Sequence, residues 1–162
     1  MPIELYRIDD RLIHGQVVVG WGQPLNLGFI VLVDDAVAES PWEQELYRMG
    51  APPEMEVCFE SVAGALAHLG EYEARRKPGM LLTADIDTMR RIVEGTGAVR
   101  RVNVGGIHHR VGRTSRLPYV FLTPDEERAL RALSERGVAV TAQDLPSATP
   151  VPLEQVLAGS RE

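Results

Sequence analysis

Runs of β-branched and aliphatic residues alternate with amphipathic segments five times along this chain, and no other feature constrains its fold as strongly. Phe29-Ile30-Val31-Leu32-Val33 is the clearest run, bounded by Gly28 and by Asp34-Asp35. A segment apolar at every position suits a strand covered on both faces, the usual state in a parallel sheet. Ile3–Ile8, Glu56–Phe59, Gly79–Thr83 and Val99–Val104 read as four further strands. Between them, helices are predicted over His14–Leu25, with Pro24 ending it, and over Pro41–Met49 after Ser40. Two more are predicted over Val62–Tyr72, capped by Ser61, and over Ile86–Glu94, capped by Asp85. The pattern then changes. Ile107–Arg116 has no clear period, Tyr119–Leu122 reads as a strand, and Thr123-Pro124-Asp125-Glu126 opens a helix that runs to about Arg136 and stops at Gly137. Val138–Ala142 is a last strand, and Leu153–Leu157 a short docking helix.

Strand–helix–strand repeats imply right-handed crossovers. The expectation is one α/β domain over residues 1–162, an open, mostly parallel sheet with helices on both faces and an antiparallel addition near the C-terminus. Length fits, since 162 residues support a single sizeable core. Ligands and chemistry in such sheets gather beyond the carboxyl ends of the strands. Three segments should meet there: Asp9–Gln16, Asp34-Asp35 and Gly105–Arg110. Trp21 and Trp42, each on an apolar helical face, are expected in the core, with an interface as the alternative.

A formal net charge of −6 argues against a nucleic-acid partner, which needs basic patches. The single cysteine, Cys58, cannot form an internal disulfide and falls in an apolar run, so it reads as a small core residue. Charges at Arg7, Asp9, Asp10 and Arg11 interrupt any apolar N-terminal signal, and no apolar run approaches the roughly 20 residues of a membrane span. A cytoplasmic protein without direct membrane insertion is expected. No cofactor or metal is expected, because no His, Cys or carboxylate pair has strong metal-ligand spacing.

The chemistry concentrates in Arg7-Ile8-Asp9-Asp10-Arg11-Leu12-Ile13-His14-Gly15-Gln16. It places a histidine on a strand-to-helix turn, where backbone N–H groups converge and anions are welcome. Imidazole is a nucleophile near neutral pH and a competent phosphoryl acceptor. Arg11, the N–H groups of Gly15 and Gln16, and the helix dipole could stabilise phosphoryl oxygens. Asp10 or a backbone carbonyl could hold the histidine tautomer, and Gly15 leaves room for a partner. A hydrogen-bonded structural histidine is the plain alternative.

Arg-Ile-Asp-Asp-Arg-Leu-Ile-His-Gly-Gln-Val resembles the active-site signature of the IIB components of the mannose/fructose/sorbose family of the bacterial sugar phosphotransferase system (PTS). Val33-Asp34-Asp35, Met49-Gly50-Ala51-Pro52-Pro53 and Asn103-Val104-Gly105-Gly106 resemble further segments of that family at similar spacing. The resemblance covers essentially the whole chain as a free-standing IIB domain. It implies a phosphocarrier that takes a phosphoryl group from a separate IIA phosphohistidine and passes it to a sugar handled by membrane IIC and IID subunits. It further implies phosphorylation of His14 at Nδ1, with Cys58 not involved, a phosphoryl-side role for Arg11, and ordering roles for Arg7 and Asp10. The pair His108-His109 after Gly105-Gly106 departs from the family pattern. It is either a segment that senses phosphate or partner at the site edge, or a solvated loop. Two alternatives stay open: a regulatory phosphorelay protein with the same phosphohistidine, and a receiver-like or metal-dependent enzyme using Asp34, Asp35, His108 and His109. The sequence names neither the sugar nor the oligomeric state.

Overall fold

The computed structural model describes residues 2–159. Strands β1 (Ile3–Ile8), β2 (Phe29–Val33), β3 (Glu56–Glu60), β4 (Gly79–Thr83), β5 (Arg101–Val104), β8 (Ala139–Ala142) and β9 (Val151–Pro152) form one sheet in the order β3-β2-β4-β1-β5-β8-β9. Every pairing is parallel except β8–β9, which is antiparallel. Strands β6 (Thr114–Leu117) and β7 (Val120–Leu122) make a separate antiparallel hairpin. The sheet runs as the alternation predicts, and the antiparallel addition lies at the expected end.

Alternation inside the apolar runs divides the core in two. In β2, Phe29, Val31 and Val33 face one side while Ile30 and Leu32 face the other. The first side is covered by α4 (Val62–Glu73), α5 (Ile86–Thr96), α6 (Pro124–Glu135) and α7 (Leu153–Leu157), which contribute Leu69, Met89, Leu130 and Val156. The second side is covered chiefly by α1 (Gly15–Gly22), whose Val17, Val18 and Trp21 pack over Ile30, Leu32, Met80 and Leu82.

Three expectations need correction. A short helix α2 (Asp35–Ala38) follows β2 directly, because the Asp34 carboxylate accepts from the N–H groups of Ala36 and Val37. Strand β6 begins inside the stretch Ile107–Arg116 that has no sequence period and ends just beyond it. Helix α3 (Pro41–Met49) forms where expected, but it buries no residue, and Trp42 is 69% exposed rather than in the core. Periodicity identified the helix without saying whether anything covers its apolar face.

Helix starts are chemically explicit. Ser61 and Asp85 accept from the N–H groups of Gly64 and Thr88, and Thr123 and Glu126 form a reciprocal capping box at α6. Thr123→Ala should therefore cost about 1 kcal/mol in urea unfolding, with the slope unchanged.

Candidate functional site

The site grows out of one buried carboxylate. Asp9 leaves the end of β1 with its N–H on Thr83 O, and its side chain is fully buried. Arg7 Nη2 donates to Asp9 Oδ2 at 3.2 Å. Arg11 approaches from the other side, with Nε on Oδ1 and Nη2 on Oδ2, both at 3.0 Å, and its backbone N–H also reaches Oδ1 at 3.2 Å. Burial works against the charged carboxylate, but hydrogen bonding from Arg11 and the charges of Arg7 and Arg11 prevail, holding the Asp9 carboxyl below its ordinary range.

Arg7 ties this carboxylate to the neighbouring strand ends. Its Nη1 donates to Asn103 Oδ1 and to the carbonyl of Gln143, and its Nη2 to the carbonyl of Asp144. The guanidinium lies 4.7 Å from the ring centroid of Trp21, whose Nε1–H donates to the same Asp144 carbonyl. Gly105 passes directly against this arrangement: a Cβ there would overlap the Arg7 guanidinium and Asp9 Oδ2. Glycine is demanded by the close approach, not by its own backbone angles.

The chain then turns sharply. Leu12 N–H returns to Asp9 O, and Leu12 itself is left-handed, with φ 56°. A buried leucine in that region is strained by roughly 1–2 kcal/mol and persists where its surroundings over-determine it. His14 occupies the N-cap position of α1 in an extended conformation and caps nothing with its side chain. The first turn of α1 carries no acidic residue, and the space where a Gly15 side chain would stand is open. The helix start thus keeps the polarity that attracts anions, next to Arg11. The side chain of Gln16 lies outside the described residues.

Two of the three expected segments meet. Asp10 donates its N–H to Gly106 O, and its carboxylate accepts from the backbone N–H and ring Nδ1 of His108 at 2.7 and 2.6 Å. His109 instead stands edge-on to Phe121. Asp34 and Asp35 do not join. Asp34 caps α2, while Asp35 accepts from Val62 N–H and pairs with Arg91. No cluster of three or more His, Cys, Asp or Glu suited to a metal occurs among the described residues.

Gln143 and Asp144 escape sequence reasoning, and Asn103 enters it only within a family-like segment, without a role. Asn103 is the one polar residue of β5 that is buried, a detectable oddity, and Gln143-Asp144 follows β8 at its carboxyl end, where the sheet rule places function. The importance of Asp9 was also underestimated.

The ring of His14 differs from the expected acceptor. Its Nδ1, the nitrogen assigned to phosphate by resemblance, lies 3.1 Å from the Leu12 carbonyl; a carbonyl only accepts, so Nδ1 holds the hydrogen. Nε2 is enclosed and makes no hydrogen bond among the described residues. Neither nitrogen presents an exposed lone pair in this conformation, so the expectation of a phosphohistidine relay is corrected. Cys58 is half-buried in the middle of β3. Its thiol donates to Glu56 Oε2 at 3.2 Å, and burial, then Glu56, push its pKa up to about 11.

An open α/β sheet whose carboxyl edge carries a helix start free of acidic residues and the partly exposed Arg11 suits the approach of an anion. The chain belongs to the PTS sorbose subfamily IIB component family, whose model matches residues 3–162. It is 33% identical over 147 residues to the N-acetylgalactosamine-specific phosphotransferase enzyme IIB component 1 of Escherichia coli, covering 89% of this chain and 91% of the relative. It is 34% identical over 138 residues to the mannose-specific EIIAB component of Escherichia coli, covering 85% of this chain but 43% of that longer protein. The IIBSor domain of the sorbose permease from Klebsiella pneumoniae superposes with a TM-score of 0.87 at 30% identity, covering 99% of each chain. These likenesses carry a IIB-type phosphocarrier; none of their names specifies a phosphohistidine.

Asp9→Ala should destabilise the fold by about 3–5 kcal/mol in urea unfolding, because it strands the buried Arg7 charge. Arg11→Ala should cost about 1–2 kcal/mol at neutral pH. Because Arg11 lowers the Asp9 pKa, that stabilisation is present above the unfolded carboxylate pKa and vanishes as pH falls through the folded one. Unfolding curves of wild type and Arg11→Ala should converge on acidification.

Proposed function

We propose that this chain is a single-domain, IIB-type phosphocarrier of the sugar phosphotransferase system, and that the loop from Asp9 to Gln16 is where it receives and releases the phosphoryl group. The observation that carries this reading is that one loop supplies both an α1 N-terminus free of acidic residues and Arg11, itself braced on buried Asp9. Backbone dipoles and a guanidinium at the same sheet edge suit the oxygens of a group in transfer. Arg11 and His14 are the side chains on which transfer depends. Arg7, Asp10 and the backbone at Gly15 and Gln16 hold the loop's shape, with His108 at its edge and His109 turned away toward Phe121.

Membership in the IIB family supports a IIA phosphoprotein as donor and membrane IIC and IID subunits as the route to sugar. No helix among the described residues is long and apolar enough to cross a membrane, so contact with the bilayer would run through those subunits. The Cys58 thiol, as it stands in this conformation, is not activated for attack. A thiol with a pKa near 11 is protonated at neutral pH, and only the thiolate attacks phosphorus efficiently.

Incubation with the cognate IIA phosphoprotein, charged from labelled phosphoenolpyruvate, tests the assignment. His14→Ala should lose transfer and Arg11→Ala should slow it by about 10²-fold, while Cys58→Ser proceeds as wild type. Each variant should keep a cooperative unfolding transition. Transfer that survives His14→Ala, or that disappears in Cys58→Ser, moves the site to β3 and ends this reading.

A further inference from the structure

We infer that His108 is a positioning residue for the loop after β1, acting with Arg113 as a latch that ties Asp10 to the start of α6. This inference rests on the reading of that loop as the phosphoryl site. Asp10 is held at three points by the segment after β5: its N–H donates to Gly106 O at 2.8 Å, and its two carboxylate oxygens accept from the ring and backbone of His108. The carboxylate offers only acceptors, so His108 Nδ1 carries the hydrogen.

The chain of bonds continues away from the site. The His108 carbonyl accepts from Arg113 Nη1 at 2.8 Å. The same guanidinium forks onto Glu126, with Nε on Oε1 at 3.0 Å and Nη2 on Oε2 at 2.7 Å. Glu126 Oε1 also accepts from Thr123 N–H, the reciprocal half of the α6 capping box. Polar contacts alone thus link the loop after β1, across 98 positions of sequence, to the stretch from His108 to the first turn of a helix anchored in the core by Leu130 and Leu133.

The His108 side chain is 57% exposed, and such pairs contribute at most about 1 kcal/mol to folding. The consequence of the latch is therefore geometric. His14 lies four residues beyond Asp10, past the strained turn at Leu12, so the direction in which Asp10 is held bears on where His14 points, whereas Arg11 is fixed by Asp9. Transfer between proteins is sensitive to such placement, and a misplacement of about 1 Å can cost on the order of 10²-fold. His109, turned toward Phe121, makes no corresponding contact with Asp10.

His108→Ala should lower kcat for transfer from the IIA phosphoprotein by about tenfold or more, with KM for the donor and the unfolding midpoint nearly unchanged. Hydrogen exchange at the amides of residues 10–14 should accelerate, a readout that needs no donor. His108→Asn, whose amide can donate where Nδ1 does, should recover most of both, and His109→Ala should change neither. His108→Ala combined with Asp10→Ala should be no worse than the poorer single variant. Wild-type rate and exchange in His108→Ala, or losses that multiply in the double variant, would overturn the latch. The two readings fail separately: inactive His14→Ala beside fully active His108→Ala removes only the latch, whereas active His14→Ala removes the site, and exchange alone then judges the latch.

Discussion

Asp9, sealed between two guanidiniums, is the constraint around which the carboxyl edge is arranged. A buried carboxylate with one arginine would carry a desolvation cost that a single ion pair barely offsets. Here it accepts four hydrogen bonds, three of them from Arg11, and its charge persists against burial. Arg7, equally buried, then has to be satisfied, and it draws in Asn103 and the carbonyls of Gln143 and Asp144. One charge pair thereby fixes the mutual positions of the ends of β1, β5 and β8. It also dictates glycine at position 105, where any side chain would displace the guanidinium.

The same network separates rigid from functional parts. Arg7 and Asp9 are inaccessible and can only organise. Arg11 shares Asp9 but reaches the surface, with its side chain 27% exposed. A guanidinium locked by a bidentate bond to a buried anion loses little further freedom when a phosphoryl oxygen arrives, which is the advantage of preorganisation. Loop strain fits this picture. Left-handed Leu12 is unfavourable in isolation, but its side chain is anchored in the core beneath α1 while Asp9 and His14 hold its backbone on either side.

Much of the fold was legible because it rests on patterns that sequence records directly. Doubly buried strands are apolar at every position, and the helix caps at Ser61, Asp85 and Thr123 are chemically unambiguous. What was illegible rests on context. The run Thr114–Leu117 is polar and short, and it becomes a strand only through pairing with Val120–Leu122. The apolar stripe of α3 marks a helix equally well whether or not something covers it, so Trp42 was misplaced. At the site, the loop itself stood out, but the acceptors that Arg7 uses at Gln143 and Asp144 are backbone carbonyls, identical for every residue type. The state of His14 was hidden for the same reason, since the Leu12 carbonyl engages its Nδ1.

That last contact bears on how the loop would work. As described, His14 is closed: one nitrogen is tied to its own loop and the other is enclosed by protein. The ring is partly exposed, but its nitrogens are withheld from a partner, and both become available once the side chain turns away from the Leu12 carbonyl. The parts on either side are unequal in stiffness. Asp9 and Arg7 are sealed into the sheet edge, and α1 is packed through Val17, Val18 and Trp21, whereas the intervening backbone is a single strained turn. Leu12 and Ile13 are themselves buried beneath α1, which leaves the His14 side chain as the part of this turn least held by packing. A docking protein that pressed on the open space beside Gly15 would act on the segment whose left-handed residue already stores strain, and the remainder of the edge would hold its arginines in place.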